Sequence, residues 1–185
     1  CYNGHPSGSW LTGSELVVLG YDPDDTHTTN FWEELYSSDS TSVTTLDTGS
    51  FTAKKYLWIQ VYAKLSSSTW WRFTLNSDTG SNYCQRRSQD GGTDITDTNQ
   101  SYIWGNGFNE TTPSFANYFV VNNTSNEKLF IGHLVRQNTA GAGTAPNRIE
   151  TCQKWTTSNQ ITSLQFENNS SVNFDNLVVK VWGSN

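Results

Sequence analysis

Residues 54–65 constrain the fold more than any other stretch. In Lys-Lys-Tyr-Leu-Trp-Ile-Gln-Val-Tyr-Ala-Lys-Leu, aliphatic side chains fall on every second position. Leu57, Ile59, Val61 and Ala63 share one face and Tyr56, Trp58, Gln60 and Tyr62 the other, because successive side chains of an extended chain point to opposite sides. A helix cannot keep a period of two, so this stretch is committed to a sheet. The aliphatic face belongs in a core. The aromatic face, with its hydrogen-bonding amide, has three uses: to stack a sugar ring, to lie under a second layer, or to be covered by another subunit.

The same period recurs along the chain. In residues 69–75, Trp71, Phe73 and Leu75 point inward, while Trp70, Arg72 and Thr74 point the other way, with Arg72 placed to stack on Trp70. In residues 128–136, Leu129, Ile131, His133 and Val135 share a face expected in the core, His133 as a hydrogen-bonded core residue. Pro146 cannot donate to a ladder and so opens a strand. After it, Arg148, Glu150, Cys152 and Lys154 alternate with Ile149, Thr151, Gln153 and Trp155, and Arg148 and Glu150 read as a surface ion pair, with a binding or catalytic role as the alternative. Residues 14–20, 81–87, 100–104, 118–121, 160–166 and 177–182 read as further strands.

Turn signals separate them. Asn76-Ser-Asp-Thr-Gly80 reads as a hairpin turn, and Gln89-Asp-Gly-Gly92 as a second turn whose Asp-Gly favours positive φ. Residues 37–50 are a linker or an edge strand, and residues 105–117 a polar, glycine-bearing loop at an exposed apex. Only Phe31-Trp-Glu-Glu-Leu-Tyr36 suggests a helical turn, capped by Asn30 with Glu33 at its third position. The chain holds 22 Ser, 24 Thr, 19 Asn and eight Trp, a mix that favours short strands and disfavours helices. The reading is all-β: a two-sheet antiparallel β-sandwich, jelly-roll-like, of about ten to eleven strands with at most one short helical turn.

A length of 185 residues fits one domain over residues 21–185, preceded by an N-terminal segment, residues 1–20. The run Leu16-Val-Val-Leu-Gly20 resembles Leu177-Val-Val-Lys-Val-Trp-Gly183 near the end, although two apolar strands also look alike by chance. If the likeness has meaning, Ser14, Leu16, Val17, Val18 and Leu19 form a strand that lies in a neighbour's sheet, or the tail of a preceding repeat. There is no signal-peptide pattern and no Met. A start at Cys1 suits a processed mature protein or a numbered piece of a longer one.

A net charge of −6 with eleven scattered basic residues offers no track for phosphates, so a nucleic-acid partner is not expected. No apolar run approaches the roughly 18 residues of a membrane span. His5, His27 and His133 are isolated, and there is no Gly-x-Ser-x-Gly, phosphate-cradling loop or metal-ligand array. No enzyme is expected on these grounds; a carboxylate pair for glycoside hydrolysis among the seventeen acids is the catalytic option left open. Asp22, Asp24 and Asp25 read as an Asp-Pro turn, or as oxygen ligands for Ca²⁺ without EF-hand spacing; no other cofactor is implied. Three cysteines leave one over. Cys84 and Cys152 are the candidates to pair, while Cys1 is free, lipidated or cross-linked to a neighbour. Glycosylation sequons at Asn109, Asn122, Asn123, Asn168 and Asn169 are no more than this composition produces by chance, and they mark polar turns.

Several segments together carry a resemblance. They are Gly143-Thr-Ala-Pro-Asn-Arg-Ile-Glu150, Lys154-Trp155, Ser158-Asn-Gln-Ile-Thr162, the run from Gly20 to Leu35, Ala53-Lys-Lys-Tyr-Leu57, Arg72-Phe73 with Asp78-Thr-Gly-Ser-Asn-Tyr83, Asn126-Glu-Lys-Leu129 with Gly132-His133, and Val181-Trp-Gly183. From about Gly20 to its end the chain resembles a β-rich domain of virion structural proteins. Tail-fibre and capsid-associated proteins of marine phages and of some archaeal and algal viruses carry it, as do related environmental surface proteins. The resemblance brings no catalytic residues. It implies a structural subunit of an extracellular or virion-surface assembly that self-associates, here through sheet edges. The alternative is a glycan-binding module of an adhesin or tail fibre, with Tyr56, Trp58, Gln60 and Tyr62 as its face and cell-surface glycans as partners.

Overall fold

The computed structural model describes residues 31–105 and 111–185. Ser14, Leu16, Val17, Val18 and Leu19, the aspartates Asp22, Asp24 and Asp25, Cys1 and Asn109 lie outside these residues, as does the strand expected over residues 14–20. The described chain forms twelve strands: β1 (Glu33–Ser40), β2 (Thr45–Asp47), β3 (Tyr56–Leu65), β4 (Trp71–Leu75), β5 (Tyr83–Gln89), β6 (Ile95–Gln100), β7 (Ile103–Trp104), β8 (Ser114–Val121), β9 (Lys128–Arg136), β10 (Asn147–Trp155), β11 (Leu164–Asn168) and β12 (Phe174–Ser184). They build two antiparallel sheets, one of eight strands in the order β1-β12-β3-β8-β9-β10-β5-β6, the other of four in the order β2-β11-β4-β7. The all-β sandwich read from the sequence is the observed fold.

The core lies where the alternation placed it. Leu57, Ile59, Val61 and Ala63 of β3 are buried, as are Leu177, Val179 and Val181 of the neighbouring β12. Against them the smaller sheet sets Trp71, Phe73 and Leu75 of β4 and Phe166 of β11. Phe73 stacks on Phe166 at 5.4 Å and meets Tyr118 of β8 edge-on at 5.3 Å, so its ring ties the two layers together. Burying each such side chain contributes about 2 kcal/mol before entropy is counted.

Several local expectations are corrected. The helical turn over residues 31–36 is absent, because Glu33–Ser40 pairs with β12 as an edge strand. The carboxylate expected to cap a helix bonds elsewhere, Glu33 to Lys54 at 2.6 Å. Leu35 packs over Gly183, where a Cβ would lie 2.6 Å from its Cδ1. The turn at residues 76–80 is not a hairpin. It carries the chain from β4 in the small sheet to β5 in the large one, with Asn76 and Ser77 at positive φ. The turn at Asp90-Gly91 does join a hairpin, β5 to β6, with both residues at positive φ as its sequence required. Strand β6 was unforeseen, and the loop expected over residues 105–117 gives way to β8 from Ser114 onward.

A further correction concerns β9, whose register is the reverse of that expected. Phe130 and Leu134 are buried, while Leu129, Ile131, His133 and Val135 are exposed, so His133 is not a core residue. Both alternate sets of β9 contain apolar side chains, and a one-residue slip exchanges them. Gly132 fixes the choice. Tyr118 lies across it, and a Cβ there would sit 2.6 Å from the ring. The long side chains of Lys128 and Arg136 occupy the inner positions at the two ends of the strand. Lys128 is fully buried among backbone carbonyls, donating to Asn126 and, at 3.2 Å, to Ser158, and burial lowers its pKa.

Side-chain amides replace the ladder where residues 160–163 were expected to be strand. Asn122 is fully buried; it donates to the carbonyls of Lys54 (2.9 Å) and Ile161 (3.1 Å) and accepts from Ile161 N at 2.7 Å. Asn76 donates to Gln160 O and accepts from the backbone N–H of Thr162 and Ser163. Asn168 closes the turn before β12 by accepting from Ser170 N and Val172 N. Asn122 and Asn168 are thus structural amides, and their sequons present no free side chain.

Asp78, in the turn between the sheets, accepts from Trp155 Nε1 (2.7 Å), Asn82 Nδ2 (2.9 Å) and Gly80 N (2.8 Å). Burial works against its charge, but the three donors outweigh burial and hold its pKa below the ordinary carboxylate value. With the folded value lowered, its stabilisation is complete above about pH 4 and is lost as pH falls through the folded pKa. Asp78→Asn is therefore expected to lower the thermal midpoint at pH 7. The gap to the unmodified chain should narrow at about pH 3; a gap of constant size would show that the carboxylate charge contributes nothing.

Candidate functional site: the outer face of the large sheet

Ladder registers place the outward side chains of the large sheet in rows. One row runs Trp182 (β12), Trp58 (β3), Phe119 (β8), Ile131 (β9), Cys152 (β10) and Arg86 (β5). On one side of it lie Tyr56, Val121 and Leu129. On the other side is a polar row, Lys180, Gln60, Asn117, His133 and Glu150, and beyond that Val178, Tyr62, Phe115 and Val135. Two apolar bands therefore flank one polar stripe.

The smaller sheet covers only the opposite side, and the described residues leave this face open. Phe119 is 51% exposed, Leu129 55% and Ile131 60%. They line an open groove of about 630 Å³ together with Phe31, Trp32, Tyr56 and Val121. Of the three uses open to the aromatic face of β3, cover by the second layer is eliminated.

The face is organised rather than loose. Trp58 stacks on Phe119 at 5.6 Å with planes 13° apart, and Trp32 meets Trp58 edge-on at 6.1 Å. Trp58 Nε1 donates to Asn117 Oδ1 at 3.1 Å, and Gln60 Nε2 donates to the same oxygen at 3.3 Å. Neighbours thus occupy the Trp58 ring, while Tyr56 and Tyr62 are the more open members of the expected quartet. Phe119, Leu129 and Ile131 were absent from that quartet. No local signal marked Leu129 and Ile131: the charged ends of β9, Lys128 and Arg136, lie on its buried side and argued for the reverse register.

The remaining residues singled out by the sequence pattern sit elsewhere. Arg148 and Glu150 form the surface pair expected, at 3.4 Å, both largely exposed. Cys84 and Cys152 are free thiols on adjacent strands and do not pair. Cys152 lies opposite Arg86 and Cys84 opposite Lys154, a diagonal two residues out of step, whereas directly opposed side chains approach most closely. Among the described residues no three His, Cys, Asp or Glu side chains converge as a metal site. On the outer side of the small sheet Arg72 stacks over Trp70 (5.5 Å) and Tyr102 (4.6 Å), anchored by Glu167 at 2.7 Å.

Both edges of the large sheet carry interruptions. Strand β1 holds Glu33, Glu34 and Asp39 and a bulge between Glu34 and Tyr36. Strand β6 pairs through a second irregularity and turns Asp97 inward to Gln85 (2.8 Å) and Arg87 (3.4 Å). No protein-family model matches the chain, and no curated protein is significantly similar to it.

Proposed function

We propose that this chain is a structural subunit of an extracellular or virion-surface assembly and that it associates with copies of itself. One observation carries the reading: the apolar outer face of the large sheet, framed in polar residues, has no cover from its own chain among the described residues. Contiguous apolar patches of more than a few hundred Å² mark contact surfaces. Two rows at about 6.8 Å each across five strands at about 4.8 Å give roughly 300 Å² for the larger apolar band. Covering that band on two copies removes on the order of 600 Å² of apolar surface from water, which favours association. The location at an extracellular or virion surface rests on the segments that resemble virion structural proteins.

Contact through the face is better supported than contact through the edges. Charges, bulges and inward-pointing acids of the kind found on β1 and β6 discourage edge pairing. Size-exclusion chromatography and negative-stain imaging of the full chain and of a form lacking residues 1–20 test the proposal. Oligomers or particles are expected from both. Loss of assembly from a folded deletion form would instead make residues 14–19 an exchanged strand.

The glycan-binding reading keeps one supporting observation. Tyr56 and Tyr62 present open rings on either side of the Gln60 and Asn117 amides, the pairing of stacking surface and hydrogen bonds that sugars require. A stable monomer that binds a glycan array, and loses binding on Tyr62→Ala, would favour it over assembly.

A further inference from the structure

If copies of this chain associate through the large sheet, as proposed above, the strand registers specify how two of them meet. The geometry points to a two-fold, face-to-face pair whose axis runs along β8, so that each large sheet covers the other.

Strand order sets the symmetry. Strand β8 is the fourth of eight, with β3 and β9 beside it, β12 and β10 beyond, then β1 and β5. A two-fold axis in the contact plane and parallel to β8 exchanges these pairs and keeps each row opposite itself. In the polar row, Lys180 of one copy then faces Glu150 of the other, because β12 exchanges with β10. In the aromatic row, Glu34 faces Arg86, because β1 exchanges with β5. Each contact occurs twice in the pair. On the axis, Phe119 meets Phe119 and Asn117 meets Asn117, an aromatic and an amide, both of which can be their own partners.

The other in-plane axis fails the same comparison. Running across the strands through the polar row, it would set Lys180 on Lys180 and Glu150 on Glu150. Charge therefore selects between two orientations that apolar area alone would leave equal. The parallel axis does bring Asp39 over Asp90, a like-charge contact that also occurs twice, at two corners, where sheet twist spreads the layers most. A tilt of the axis by roughly 15° from the strands gives the roughly 30° offset at which twisted sheets pack. The long side chains of Lys, Glu and Arg span the resulting shift.

The area is of the required size. The seven strands that overlap about β8, at about 4.8 Å each, and six residues at about 3.4 Å make a covered face of roughly 700 Å². A standard stable interface buries about 800 Å² on each partner.

Charge reversal tests the pairing. Lys180→Glu alone places Glu on Glu150 twice, and Glu150→Lys alone places Lys on Lys180 twice. Each variant is expected to self-associate at least roughly tenfold more weakly than the unmodified chain. An equimolar mixture of the two variants should regain association as mixed pairs, seen by native mass spectrometry, since both contacts are then opposite in sign. The double variant Lys180→Glu/Glu150→Lys should associate like the unmodified chain, and circular dichroism should show every form folded. Single variants that associate normally, or a mixture that stays monomeric, would overturn the two-fold geometry while leaving self-association standing. An unmodified chain that is monomeric at every concentration would overturn both.

Discussion

Ile131→Glu is expected to abolish assembly of this chain while leaving its fold intact. The side chain is 60% exposed and stands between Phe119 and Cys152 in the aromatic row. In the isolated subunit the substitution exchanges one solvent-facing side chain for another, so the thermal midpoint should move by no more than a few degrees, as surface changes do. In the proposed assembly it places an unpaired carboxylate in the most apolar part of the contact. Central interface positions of this kind cost about 2 kcal/mol or more when altered, and a buried, unpaired charge costs more. In a symmetric pair the charge enters twice, so association should weaken by roughly a thousandfold or more. Sedimentation velocity over a concentration series measures it. Unfolding of the variant would place Ile131 in the core, against the register of β9.

The largest expected loss of stability follows from Phe73→Ala. The ring is fully buried between the layers, stacked on Phe166 and edge-on to Tyr118. Removing it forfeits its burial and leaves a cavity that two rigid sheets cannot close, at a cost of about 4 kcal/mol. Against the roughly 5–15 kcal/mol that typically holds a domain folded, that is about a quarter or more of the total. Urea denaturation of the two forms gives the difference. A loss under about 1 kcal/mol would mean that the sheets do not meet at this residue.

How much of this was legible depended on whether the information was local. In β3 and β10 one face is markedly more apolar than the other, so the sequence settles both the strand and its orientation, and the structure agrees. In β9 both sets are apolar, and what separates them is Tyr118 lying over Gly132, a contact from another strand. That reversal hid half of the candidate surface, because Leu129 and Ile131 were assigned to the interior. The turn at residues 76–80 announces a change of direction through its composition. Composition does not say which sheet the chain enters next; that depends on Trp155, 77 residues away in the chain, donating to Asp78. Residues 160–163 carry an apolar pattern, yet the buried amides of Asn76 and Asn122 satisfy their backbone in place of a neighbouring strand. At Glu33 and Glu34 a capping pattern is overruled by pairing with β12, as tertiary contacts commonly overrule short helical signals.

On the proposed reading, copies of this chain meet at the outer face of the large sheet. Hydroxyl-radical footprinting, read by mass spectrometry below and above the concentration at which the chain assembles, tests it most directly. Phe119, Leu129 and Ile131 should lose reactivity on assembly, while Trp70 and Tyr102, on the outer side of the small sheet, should keep theirs. Protection confined to β1 or β6 with Phe119, Leu129 and Ile131 still reactive, or a chain that never assembles, would contradict the account.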